Sequence, residues 1–522
     1  MTPSKYQQAI YDWATEQEGS SRVVAVAGSG KTTTLVEMSK RTSGSALFCA
    51  FNKHIQSELE KKLPNRVNCR TIHSIGFEAV RRTVGRTEIA DDKYDALCLE
   101  AAGPIADRGR KRWPNAKTAP DGAARTPKKA RSVLRGLVRM CLATLQDPAD
   151  ANALAEMADM YGVTVPDDQL EEFCEAVPAV VSRGIELTEE GVITFDDMIY
   201  YPATHDVNMR KYLWVMVDEA QDLSAAQLAV VLKSMKSRGR MVAVADPLQS
   251  LYGFTGADPW SFQAIGEATD AVDLPLSVCY RCGSKIVELA KNLVPQIEPA
   301  PHAEPGSVKH IEDFALPDVA KSGDMVICRT NAPVIRACLK LISQGVDAYV
   351  RGGDLKNSFL DIVDRVSLMD GYSWGSFRSM LSLAKSMRQT KLLAEEDERG
   401  ANAVGDLYDA VDECAKVLQP TGEQNFKQGI SKLFSPKKRS VVCSSIHRAK
   451  GLEADRVFLV RPDIVRLKWK GQQPWQAYQE QCCEYVAITR AKRELFLVED
   501  PEKPPYSVGR RLDIPEKPGD SA

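Results

Sequence analysis

Residues 25–32 read Ala25-Val26-Ala27-Gly28-Ser29-Gly30-Lys31-Thr32, and the apolar run Arg22 to Val26 leads into them. A short apolar run predicts a buried strand. Gly28 and Gly30 then let the backbone turn tightly with its N–H groups facing inward. Thr33-Thr34-Leu35-Val36-Glu37-Met38 follows as a helix. A loop of this kind, opening onto a helix N-terminus, binds phosphate through backbone donors and the helix dipole. Lys31 can reach the β- and γ-phosphates, and the Thr32 hydroxyl can coordinate Mg²⁺. Ala27, Gly28, Ser29, Gly30 and Thr33 complete the expected nucleotide contacts. Ala25 stands where such loops usually carry their first glycine. A Gly/Ser loop alone is commonly only a turn; its place between strand and helix decides for a phosphate cradle.

The second informative stretch is Tyr212 to Val217, an apolar run ending in Asp218-Glu219-Ala220-Gln221-Asp222. Asp218 is placed to hold Mg²⁺ through its coordination shell. Glu219 is placed to orient or deprotonate an attacking water. Cradle and acidic strand end together predict a chain that binds and hydrolyses a nucleoside triphosphate with Mg²⁺.

The spelling Asp-Glu-Ala-Gln-Asp resembles motif II of superfamily 1 helicases of the UvrD/Rep type, and that family's other motifs follow in family order. Ala46 to Lys53 resembles the motif after the first helix. Arg70-Thr71-Ile72-His73-Ser74 resembles the Thr-x-His motif, and Ile193 to Met198 the short Asp-Phe-type motif before motif II. Val244 to Phe254 resembles motif III, Tyr280-Arg281 motif IV, Ser445 to Glu453 motif V, and Glu480 to Ala491 motif VI. Phe51-Asn52-Lys53 and the Arg-Thr-Ile-His string resemble most closely the F-box DNA helicase branch and its phage and bacterial relatives, although no F-box is read here. The resemblance spans residues 1–499 and is concentrated in eight short islands.

The resemblance implies roles. Gln249 would sense the γ-phosphate. Arg281 and Arg490 would meet the triphosphate from the second motor domain, where a guanidinium is typically worth about 10³–10⁵ in rate. Tyr280 would stack on adenine, and Glu453 would touch ribose or relay phosphate state to DNA. The family's N-terminal adenine-reading glutamine falls near Tyr6-Gln7-Gln8, with Gln7 chosen and Gln8 close behind. Thr71, His73, Tyr252, Phe254 and His447 would contact single-stranded DNA. Tyr252 and Phe254 are alternatively core aromatics.

The chain has 522 residues, enough for three or four domains, and is 44% hydrophobic. No apolar run approaches the roughly 20 residues that cross a bilayer. Met1 to Gln17 is polar and mixed, unlike a signal peptide. Thirteen cysteines read as reduced thiols, which with the rest predicts a cytoplasmic protein, or a nuclear one if the host has a nucleus. Cys279-Tyr280-Arg281-Cys282 is a C-x-x-C without a matching second pair, so a zinc or redox reading is the weaker one. Net charge is −2, but Arg108 to Arg135 holds ten Lys/Arg and one acid. That stretch is either a solvated basic face or a DNA-backbone contact. Its pattern predicts a loop, then a helix from about Thr126.

Strands alternating with helices in both halves predict an α/β chain of two RecA-like P-loop motor domains, each a parallel sheet flanked by helices, with two mainly helical insertions. The first motor domain is expected over 1–84 and 186–275, interrupted by a helical insertion over 85–185. The second is expected over 276–354 and 437–500, interrupted by a short helical insertion over 355–436. Residues 501–522 read as a flexible tail.

The leading function is ATP-dependent 3′–5′ translocation on single-stranded DNA, with unwinding at single/double-strand junctions in repair, recombination or replication. Protein partners through the insertions, and no membrane, complete the expectation. The alternatives are an ATPase sensor in a phage-defence or nuclease complex, a binding module without hydrolysis, and an RNA motor.

Overall fold

A computed structural model of the chain describes residues 2–114, 123–163, 165–251, 260–394, 398–436, 438–469 and 472–511. The chain divides into two compact units, residues 1–25 with 30–276, and residues 26–29 with 277–522.

The first unit is built on a six-stranded parallel sheet. Its strands run in the order Val67–Thr71, Ala46–Ala50, Tyr212–Val217, Met235–Ala245, Ser21–Ala25, Val272–Leu276. Ala46–Ala50 is buried at every position. Ala46, Phe48 and Ala50 enter one core cluster, and Leu47 and Cys49 enter another. The period-two alternation therefore feeds two cores, one on each face, as a parallel sheet covered by helices on both sides requires.

Four helices, Lys93–Arg112, Pro127–Thr144, Ala151–Tyr161 and Leu170–Glu189, pack around a core of their own that includes Leu134, Leu137, Val138, Phe173 and Val177. Thr126 caps the second of these by accepting from the Lys129 N–H at 3.3 Å, and Pro127 occupies the first turn. The predicted helix start therefore holds. The predicted loop from Arg108 does not, because the helix runs on to Arg112. Arg110, Lys111 and Arg112 fall in its last turn, where cations suit the helix dipole. Much of the basic run is also paired. Arg108 and Arg112 reach Glu172 at 3.3 and 2.9 Å, Arg110 reaches Asp107, and Arg135 reaches Asp196 at 2.7 Å.

A buried ion pair ties these helices to the segment before Tyr212. Lys93 Nζ lies 2.6 Å from Asp197 Oδ2 and donates to the carbonyls of Gly184 and Val192. Asp197 also accepts from the Tyr94 hydroxyl at 2.8 Å and the Thr194 N–H at 2.6 Å. Every polar atom at the centre of this network has a partner, the condition under which a buried charge pair is tolerated.

The second unit repeats the architecture. Its six parallel strands run in the order Ser307–Glu312, Ala491–Glu499, Ala454–Val460, Met325–Cys328, Val441–Ser445, Ala348–Val350. Residues 353–433 are mainly helical, and Phe359, Phe377 and Phe426 share one core with Val326 and Phe458 of the sheet. The α/β expectation of two parallel sheets flanked by helices is borne out.

The tail differs from expectation where it is described. Tyr506 donates its hydroxyl to Glu484 Oε1 at 2.7 Å, and the Gly509 N–H donates to the same oxygen at 3.1 Å. The buried Glu484 carboxylate recruits donors from residues 501–511, and that segment lies on the second unit without regular structure. Among the described residues no helix is long and apolar enough to cross a membrane.

Candidate nucleotide and DNA site

The strand Ser21–Ala25 delivers the cradle, and Lys31–Arg41 begins directly after it. Gly28 and Gly30 have φ of +67° and +80°, a left-handed region glycine enters without strain. At Gly28 the requirement is also steric, since a Cβ there would lie 2.5 Å from the Cβ of Arg281. The Ser29 hydroxyl is buried without a partner among the described residues, so a phosphate oxygen would find a donor there.

In the first unit, Lys31, Thr32, Asp218 and Glu219 form one cluster at the strand ends. Lys31 Nζ lies 3.2 Å from Glu219 Oε2, and the Thr32 hydroxyl bonds directly to Asp218 Oδ2. Burial pulls the Lys31 pKa down, but Glu219, Asp246 and Asp218 together outweigh it and hold the ammonium above its ordinary value. Burial first, and then the charge of Glu219, push the Asp218 carboxyl above the usual carboxylate range. Burial pushes Asp246 up to about 6. These acids are short of positive charge. The Thr32 hydroxyl and Asp218 carboxylate are adjacent hard oxygen donors, the set Mg²⁺ takes when phosphates and waters complete its shell.

Gln249 is buried and donates to Asp246 Oδ2 at 2.7 Å. Gln7 is buried, donating to Thr34 Oγ1 at 3.2 Å, and its Nε2 would lie 3.7 Å from a Cβ on Gly30. Gln8 instead donates to Asp12 on an exposed face. Of the two glutamines it is Gln7 that stands at the cradle. Thr33 is exposed in the first turn of the helix.

The second unit carries residues 26–29 together with Tyr280, Arg281, Glu453 and Arg490. The Ala27 N–H donates to the Tyr485 hydroxyl at 2.8 Å, and the Tyr280 N–H donates to the Gly28 carbonyl at 2.9 Å. Arg281 Nε donates to Glu453 Oε2 at 2.6 Å, and Lys492 reaches the other Glu453 oxygen at 2.7 Å. Arg490 is 1% exposed and donates to the carbonyls of Val486 and Leu452 at 3.1 and 2.9 Å. The Tyr280 ring is exposed. Cys279 and Cys282 are free, buried thiols, and the Cys282 hydrogen bond holds the Cys279 thiol below its ordinary pKa.

A cleft of about 470 Å³ opens on the first unit. It is lined by Phe51, His73, Arg139 and Phe195, and reaches Asp218 and Glu219. Phe51 and Phe195 are exposed. His73 meets Phe195 edge-on, with centroids 6.1 Å apart, and burial draws its pKa down. Thr71 is the buried cap of the helix that carries His73, its hydroxyl accepting from the Ser74 N–H at 3.3 Å. Tyr252 and Phe254 lie outside the described residues. His447 stands in the second unit, its Nε2 3.6 Å from the Cys483 sulfur. Sequence reasoning gave no role to Gln221, Asp246, Tyr485 or Arg139. Gln221, Asp246 and Tyr485 lay inside quoted motifs, whereas nothing local marks Arg139.

Residues 6–269 match the model of the UvrD/REP helicase N-terminal domain, and residues 367–500 that of the UvrD-like helicase C-terminal domain. The chain belongs to the UvrD/Rep helicase family. It is 24% identical over 521 residues to F-box DNA helicase protein 1 of Schizosaccharomyces pombe, covering 91% of this chain and 55% of that protein. It is 25% identical over 552 residues to the ATP-dependent DNA helicase UvrD2 of Mycobacterium tuberculosis, covering 91% of this chain and 76% of the relative. The chain thus spans about half the length of the fission-yeast relative. The arterivirus nonstructural protein 10 helicase, solved with DNA, is 14% identical with a TM-score of 0.34, over 92% of this chain and 62% of that one.

Proposed function

We propose that this UvrD-family chain is an ATP-driven motor that moves 3′ to 5′ along single-stranded DNA and opens duplex at single/double-strand junctions. The observation that carries the reading is the cluster of Lys31, Thr32, Asp218 and Glu219 at the ends of two strands of one parallel sheet. The names of the relatives, both DNA helicases, agree with it. Lys31 binds the β- and γ-phosphates, Gln7 and Tyr280 hold the base, and Glu219 orients the attacking water. Thr32 and Asp218 would hold Mg²⁺, which when bound neutralises phosphate charge. Arg281 and Arg490 stabilise the charge that develops on the transferring phosphoryl group, Glu453 keeps Arg281 in place, and Gln249 reports the loss of that group.

Single-stranded DNA occupies the cleft at His73, with Thr71 fixing the helix that presents it. Phe51 and Phe195 are exposed rings on which bases can stack, at about 1–3 kcal/mol per base without sequence preference. Arg139 supplies charge for a backbone phosphate. DNA contacts by Tyr252, Phe254 and His447 are carried over by family resemblance, and polarity on the Thr-x-His and motif III spellings alone. Work in DNA repair, recombination or replication, in a reducing cytoplasm or nucleus, fits thirteen free thiols.

The test is ATP hydrolysis and strand separation on duplexes carrying a 3′ tail, a 5′ tail or none, with an RNA control. Unwinding of the 3′-tailed DNA alone is expected. Preference for the 5′ tail or for RNA would overturn polarity or substrate, and no DNA-stimulated hydrolysis would overturn the motor.

A further inference from the structure

Glu219 is the residue assigned to the attacking water, and its backbone is unusual. It sits at φ 53°, ψ 43°, in the left-handed region that a side chain disfavours. Such a conformation is strained and persists only where the surroundings hold it. The Glu219 N–H donates to Asp218 Oδ1 at 3.0 Å and its carbonyl accepts from the Asp222 N–H at 3.0 Å, while its side chain is held from two positions on. Gln221 is 3% exposed, in the single turn Ala220–Asp222. Its Nε2 donates to Glu219 Oε2 at 2.6 Å, and its Oε1 accepts from the Asp246 N–H at 3.2 Å. A carboxylate can only accept and a backbone N–H can only donate, so the amide has one orientation. The Gln221 backbone carbonyl further accepts from the Ser250 hydroxyl at 3.4 Å. Asp246 and Ser250 flank the turn that holds Gln249.

Lys31 contacts the same Glu219 oxygen at 3.2 Å. A bound triphosphate draws the Lys31 ammonium toward phosphate. Gln221 carries no charge for a phosphate to draw away from Glu219. We infer that Gln221 is a positioning residue that fixes the Glu219 carboxylate for water attack and couples it to the turn carrying Gln249. One amide thereby links the group that starts hydrolysis to the segment that leads toward the DNA-contacting residues. The inference rests on the nucleotide-hydrolysing reading above.

The test uses the full chain with Gln221→Met, which keeps length and loses the donor, and Gln221→Glu, which keeps shape and sets an acceptor against an acceptor. ATP hydrolysis is measured with and without oligo-dT, together with the KM for ATP and the melting temperature. In each variant that melts within a few degrees of the natural chain, kcat should fall by about tenfold or more. The KM should stay within about twofold, and the ratio of DNA-stimulated to DNA-free turnover should shrink. Natural kcat and stimulation in either folded variant would overturn the inference, as would equal losses in kcat and ATP affinity. Should Gln221→Met fail to melt cooperatively, Gln221→Glu decides by the same criteria. Failure of the underlying reading looks different: Glu219→Gln would then hydrolyse ATP as the natural chain does.

Discussion

The two groups of residues proposed to meet phosphate are held in opposite ways. In the first unit the cation is single and the acids are many. Lys31 is flanked by Glu219, Asp246 and Asp218, and burial leaves the latter two short of positive charge. In the second unit the cations are supplied in surplus. Arg281 and Lys492 share Glu453, and Arg490 is buried against backbone carbonyls. The first arrangement sets several acids around the Lys31 ammonium. The second is a pair of guanidiniums already fixed in orientation, so little freedom is lost when they meet an anion.

Substitutions can break that comparison. Lys31→Ala removes the one cation of the acidic cluster, and DNA-stimulated hydrolysis should fall beyond detection, a loss larger than about 10³-fold; phosphate release measures it. Arg281→Ala should lower turnover by about 10³-fold with ATP affinity nearly kept, because Glu453 retains Lys492 as a partner; single-turnover kinetics with ATP titration separates the two. Arg490→Ala should show the same split and also destabilise the fold by about 1–3 kcal/mol, since its hydrogen bonds to Val486 and Leu452 are lost. Denaturant unfolding of both arginine variants sharpens the contrast. Equal stability for the two would mean that the burial of Arg490 contributes nothing to the second unit.

Legibility followed the range of the interactions. The cradle and the acidic strand end were readable because each is a local pattern, an apolar run followed by glycines or by acids, and the fold needs no distant contact to place them. Thr126 and Pro127 announced their helix for the same reason. The stretch from Arg108 misled because charge was read without partners; Glu172 and Asp196, which pair with Arg108, Arg112 and Arg135, lie 60 or more positions away in the sequence. The tail misled likewise, since Glu484, which receives Tyr506 and Gly509, lies in another element. Gln221 was in plain view inside motif II. What hid it was that its partners Asp246 and Ser250 come from the next strand end. Between Gln7 and Gln8, spacing gave no decision; burial did.

The most direct measurement is steady-state ATP hydrolysis by the full chain and by its Glu219→Gln variant, each with and without single-stranded DNA, alongside ATP binding. DNA should raise turnover in the natural chain, and the variant should bind ATP yet hydrolyse it at least about 10²-fold more slowly under both conditions. Turnover in the variant equal to that of the natural chain, or a natural chain indifferent to DNA, would contradict a motor built on this cluster.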